Sequence, residues 1–134
     1  SRGVSQDMTR PLAHYFISSS HNTYLEGDQL HSKSTPFAVA RALRLGVRVV
    51  ELDCYDSKDI KGRFQKVVVT HGGTLTTKTS FRKFVAAIRD HAFVASDFPV
   101  IVTLENHCGL EGQIAIARTL QKLLRDKLYV PASR

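Results

Sequence analysis

The stretch Val47 to Gly73, VRVVELDCYDSKDIKGRFQKVVVTHGG, decides how the chain is to be folded. Its two β-branched runs, Val47 to Leu52 and Val67 to Val69, are too short for helices and read as buried strands. Only 13 residues, CYDSKDIKGRFQK, separate Asp53 from Val67, and they carry no helical face. A parallel return normally takes a dozen or more residues with a covering helix. The Val67 strand is therefore expected to be reached by a bare connection or a hairpin.

On either side the pattern is more regular. Tyr15-Phe16-Ile17 and Val100 to Leu104 read as further buried strands. After STP, Pro36 suits a first helical turn, Val39, Ala40 and Leu43 line one face, and Gly46 is the stop. After TKTS, Phe81, Phe84, Val85, Ile88 and Ala92 follow helical spacing. From Leu110 to Leu128, Ile114, Ala117, Leu120, Leu124 and Leu128 do much the same. The order strand, helix, strand, strand, helix, strand, helix predicts an α/β layer or barrel with parallel strands.

The composition bounds the rest. A chain of 134 residues that is 43% hydrophobic has the bulk of one domain with a real core. Cys54 and Cys108 lack the paired spacing of a disulfide framework or zinc knuckle, so buried free thiols and a reducing compartment are expected. No apolar run reaches membrane-spanning length, and SRGVSQDMTR lacks the apolar middle of a signal peptide. The formal charge of +7 favours anionic partners, whether nucleic acid, phospholipid headgroups or phosphorylated small molecules. The cations are scattered over helix faces, and no aromatics interleave with them, which argues against single-stranded nucleic acid.

Chemistry concentrates at the strand exits. SSSHN follows Ile17, ELD follows Val50, TH follows Val69 and ENH extends Leu104. In a parallel barrel such ends share one rim, so His21, Asn22, Glu51, Asp53, His71 and Glu105 are expected to converge. Glu51 and Asp53, two apart in a strand, point to one face. Crowded carboxylates repel unless a cation lies between them. Together with Glu105 and the Asn22 oxygen they form a hard donor set suited to Ca²⁺ or Mg²⁺ rather than zinc. The plainer alternative pairs Glu51 or Asp53 with nearby Arg48 or with another arginine or lysine of the chain. His21 and His71 suit phosphoryl chemistry, one stabilising charge on the phosphoryl oxygens and the other protonating a leaving alkoxide. His14, His31, His91 and His107 fall outside this set, although His107 is close to Glu105. His21 and Asn22 are adjacent, so both can serve one site only if the strand ends or bends at Ser20 to Asn22, with the three serines as agents of the bend.

HYFISSSHNTYL, GVRVVELDCYD, VVVTHGG and FPVIVTLENHC together resemble the X-region of eukaryotic phosphoinositide-specific phospholipase C, in the same order and over about residues 10 to 120. The resemblance implies half of a distorted TIM-type barrel, with the Y-region supplying the other strands. It implies a Ca²⁺-dependent phosphodiesterase that cleaves phosphatidylinositol 4,5-bisphosphate to diacylglycerol and inositol 1,4,5-trisphosphate through a cyclic phosphate. Asn22, Glu51, Asp53 and Glu105 become the calcium ligands, with Glu51 or Glu105 as base. His21 stabilises the phosphoryl group, and His71 is general acid and then base. Tyr55 stands where the family often has tryptophan.

Residues 1–134 are accordingly expected to be a single fragment that lacks the Y-region and the lysines reading the 4- and 5-phosphates. Alone it would expose strand edges and apolar surface and be inactive. The expected setting is cytoplasmic and peripheral, at phosphoinositide headgroups on the inner face of the plasma membrane, with no nucleic-acid partner. Other readings are a non-catalytic phosphoinositide- or membrane-binding homologue, a simpler phosphatidylinositol or glycerophosphodiester phosphodiesterase, and a glycoside hydrolase using Glu51 and Glu105, which would leave both histidines without work.

Overall fold

A computed structural model describes residues 5–27, 33–73 and 75–132. Chain order runs through a short 3-10 turn, Leu12–His14, then β1 (Leu25–Glu26), β2 (Lys33–Ser34), α1 (Pro36–Arg44), β3 (Val49–Lys58) and β4 (Phe64–Val69). It continues through β5 (Thr79–Ser80), α2 (Phe81–His91), β6 (Ile101–His107), α3 (Leu110–Leu124) and a second 3-10 turn, Arg125–Lys127. One mixed sheet holds the strands in the order β5-β4-β3-β6, and β1 and β2 form a separate small ribbon.

The first two helices form as their spacing demands. Thr35 caps α1, its Oγ1 accepting the Phe37 and Ala38 amides, Pro36 takes the first turn, and Val39, Ala40 and Leu43 are buried. Gly46, at φ +93°, ends the element in a conformation that favours glycine. In α2, Phe81, Phe84, Val85 and Ile88 are all buried. Both helices lie on the sheet face formed by Val50, Leu52, Cys54, Val67 and Val69, and Ile116 of α3 closes the same core.

The third helix keeps only part of its expected face: Leu120 and Leu124 pack against the core. Ile114 and Ala117 are exposed, whereas Gly112 and Ile116 are buried. The reason is Asp56, whose Oδ2 accepts the Gly109 amide at 2.9 Å and which packs so closely on Gly112 that a Cβ there would overlap it. This carboxylate supplies the N-terminal cap that Gly109 cannot. The helix also stops at Leu124, before Leu128.

Strand directions need two corrections. Phe16 is fully exposed and Tyr15-Phe16-Ile17 is not a strand; the single sheet contact of this segment is a parallel bridge between Ser19 and Val49. The Tyr15 hydroxyl, which donates to the Asp7 carbonyl and accepts the Arg10 amide, ties that residue to the preceding segment instead. The Val67 strand is not parallel. β3 passes through Asp53 to Lys58, and β4 returns antiparallel with Cys54 opposite Val69. Asp59 closes this hairpin, its Oδ1 accepting the Lys61 and Arg63 amides while Gly62 takes φ +76°. Of the two routes open to a short charged connection, the hairpin is the one used.

β3 and β6 are parallel, with Asp53 opposite Glu105 and Tyr55 opposite His107. Strand alternation then puts Glu51, Asp53 and Tyr55 on the face away from the helices.

Candidate active site

The acids come together on that open face. Glu51, Asp53 and Glu105 each offer a carboxylate oxygen, all lying within 4.8 Å of one another. Asp53 is buried, and its Oδ1 has no hydrogen-bond partner among the described residues. A buried, unsatisfied carboxylate oxygen facing two further carboxylates is costly for a protein on its own and is what a hard cation relieves. The cluster therefore fits an oxygen-liganded ion such as calcium. Burial raises the Asp53 pKa above its usual value, Glu105 and Glu51 add to the rise, and the neighbouring Tyr24 hydroxyl and His71 partly offset it.

Arg48 does not neutralise the cluster. Its guanidinium donates to the carbonyls of Ser96 and Phe98, and its Nε to that of Val47. The pairing of Glu51 or Asp53 with Arg48 is thereby ruled out.

His21 and Asn22 arrive through a bend. Ser18 and Ser20 bond to β3, the Ser20 amide donating to the Val49 carbonyl at 2.9 Å. Asn22 then takes φ +48°, so the straight strand is broken where both side chains were expected to need it. Of the serine side chains, Ser19 bonds back to Ile17, upstream of the bend. The bend itself is held by Thr23, whose Oγ1 donates to the Ser20 carbonyl and accepts the Glu51 amide. Glu51 Oε2 accepts the Asn22 amide at 2.9 Å and lies 3.5 Å from Nε2 of the largely exposed His21. The buried Tyr24 hydroxyl donates to Asn22 Oδ1 at 3.0 Å, orienting the amide while leaving that oxygen a second lone pair.

His71 reaches the cluster because β4 runs backwards. The Thr70 amide donates to the Asp53 carbonyl, and the Thr76 hydroxyl group accepts the His71 amide, closing the turn that follows. A parallel rim would have placed this histidine beside the far end of β3; the antiparallel return brings it beside the middle.

The chain matches the family described as phosphatidylinositol-specific phospholipase C, X domain, over residues 8–134. It belongs to that family. Among its relatives, human 1-phosphatidylinositol 4,5-bisphosphate phosphodiesterase gamma-2 is 53% identical over 92% of this chain and 9% of the relative. The human delta-3 protein of the same name is 54% identical over 96% of this chain and 16% of the relative. A crystal structure of L. pealei PLC21 superimposes with a TM-score of 0.88 at 39% identity, covering 96% of this chain and 16% of that one. The chain thus spans a small part of the length of the relatives it matches, and its fold is half of a TIM-type barrel.

Within this X domain Glu51, Asp53 and Glu105 form one cluster, His21 and Asn22 lie beside Glu51 and His71 lies near Asp53, and three further residues touch this group. Tyr24 and Thr23 hold the bend, and nothing in their sequence context marked them. His107, left outside the expected set, places Nε2 2.9 Å from Glu105 Oε1. Its spacing of two from Glu105 on a strand was the signal. His14 lies exposed in the first 3-10 turn and His91 ends α2, both apart from the acids, while His31 falls outside the described residues.

Proposed function

We propose that this X domain carries the calcium-binding and phosphodiester-cleaving residues of a phosphoinositide phospholipase C. The substrate is phosphatidylinositol 4,5-bisphosphate, cleaved to diacylglycerol and inositol 1,4,5-trisphosphate at the inner face of the plasma membrane. A Y-region would complete the barrel. The observation that carries this reading is the convergence of Glu51, Asp53 and Glu105 with His21 at one flank and the His71 turn at the other. No described helix is long and apolar enough to cross a membrane, and the charge of +7 suits an anionic surface.

Asn22, Glu51, Asp53 and Glu105 would hold the calcium ion. Bound there, calcium supplies positive charge that acidifies the inositol 2-hydroxyl and offsets charge on the phosphate. One of Glu51 and Glu105 takes the proton of the 2-hydroxyl, whose oxygen then bonds to phosphorus. His21, exposed beside Glu51, stabilises the charge that builds on the phosphoryl oxygens. His71 gives its proton to the diacylglycerol oxygen as the phosphorus–oxygen bond breaks, leaving a 1,2-cyclic phosphate. The neutral His71 then removes a proton from water, which opens the ring.

The test is inositol phosphate release by the full-length protein carrying His71→Ala. Loss of general acid catalysis is expected to lower turnover by roughly 10²–10⁴-fold. Near-normal turnover would overturn the assignment.

A further inference from the structure

Two rings outside the acidic cluster are fixed against it. Tyr55 and His107 lie opposite each other, two positions beyond the Asp53–Glu105 pair and on the same sheet face. They stack with centroids 4.3 Å apart and planes inclined by 9°. On one side of this stack His107 Nε2 meets Glu105 Oε1 at 2.9 Å. On the other, the hydroxyl end of Tyr55 closes on Gly72, where a Cβ would overlap it. A continuous line of contacts therefore runs from Glu105 through His107 and Tyr55 to the residue following His71.

We propose that His107 is a positioning residue for Glu105, donating its Nε2–H to Oε1 and held in plane by Tyr55, so that the second carboxylate oxygen is left for the cation. This rests on the reading of Glu105 as a calcium ligand. An ionised carboxylate only accepts hydrogen bonds, so the ring nitrogen facing it carries the hydrogen. Glu105 needs such a restraint: its side chain is half-exposed, it has several rotatable bonds, and Glu51 and Asp53 repel it outward. A donor on its outer oxygen opposes that drift and removes rotamers that ion binding would otherwise have to freeze. His107 gains its own rigidity from the flat Tyr55 face, since an exposed imidazole on an open sheet has little else to hold its plane.

The test is calcium titration by calorimetry of the full-length protein, with His107→Ala, His107→Gln and Tyr55→Leu beside the wild type. Outer-shell partners of metal ligands typically contribute 10–100-fold in affinity. His107→Ala is expected to weaken calcium binding by about that factor. His107→Gln, whose amide nitrogen reaches the place of ring Nε2, should bind within about threefold of wild type, a small part of that outer-shell effect. Tyr55→Leu should shift affinity in the same direction as alanine at His107. Circular dichroism confirms that each variant is folded, and saturating calcium should restore the turnover of His107→Ala. Wild-type affinity in His107→Ala would overturn the proposal, as would a glutamine variant as weak as the alanine one. Turnover that calcium cannot restore would assign His107 to the chemistry itself and equally overturn it. A wild-type protein that takes up no calcium at all would instead overturn the calcium reading of the cluster, and the positioning role with it.

Discussion

Asp53 and Glu105 face each other directly across the parallel pairing of β3 and β6, and Asp53 is the buried member of the pair. Its carboxylate is held close to two others with one oxygen unbonded. The fold keeps this arrangement at a cost in stability, because burial and like charges both oppose ionisation of Asp53.

Asp53→Asn should therefore act in opposite directions on stability and binding. Without calcium, the variant should melt at a higher temperature than wild type at neutral pH. Its calcium affinity should fall by at least tenfold, the loss that even outer-shell partners cause. Differential scanning calorimetry with and without calcium checks both, and a variant less stable in the absence of calcium would contradict the account of Asp53.

Gly72→Ala should disable the site while leaving the core intact. A Cβ at Gly72 would overlap the Tyr55 hydroxyl and its ring carbon, so either Tyr55 or the His71 turn must move. A 1 Å misplacement of a catalytic group can cost about 10²-fold. The expected result is turnover lowered on that order with an unchanged far-ultraviolet circular dichroism spectrum.

The β3–β4 hairpin should loosen in acid. Hydrogen bonds from the Arg63 amide above all, then from the Arg63 side chain and the Lys61 amide, hold the Asp59 carboxyl below the ordinary aspartate value. A depressed folded pKa stabilises above the unfolded value, and that contribution is lost as pH falls through the folded one. Wild type should thus melt above Asp59→Asn at neutral pH, with the gap closing below pH 3.8. A gap that is independent of pH would show that the carboxylate charge does not hold the turn.

Neither thiol should react readily. Burial pushes Cys54 up to about 12 and Cys108 to about 11. Thiolates are the nucleophiles, so a disulfide reagent at pH 8 should label both only after unfolding. Fast labelling of native protein would mean that the core at Cys54 and Cys108 opens.

Local periodicity made α1 and α2 legible, because their buried residues are the same ones that set the spacing. The α3 face was legible only in its second half, where Leu120 and Leu124 pack on the core; at its start Asp56, distant in sequence, lies against Gly109 and Gly112, and Ile114 is left exposed. The direction of β4 was only half legible: the short charged connection ruled against a covered crossover, but did not say that β3 continues past Asp53. The six candidate residues stood out because each lies at or just past an apolar run. The three acids do lie together, on the paired strands β3 and β6, whereas His71 follows a strand that runs opposite to the expected direction. Tyr24 carries no mark in sequence, because its hydroxyl finds Asn22 only after the chain has bent at φ +48°.

Where the ion binds tests the calcium role of the acidic cluster most directly. Crystals of the full-length protein soaked in a lanthanide that replaces calcium would locate it by anomalous scattering. A single strong peak within coordination distance of Glu51, Asp53, Glu105 and Asn22 is the predicted result. A peak elsewhere, with these oxygens left bare at saturating ion, would contradict it.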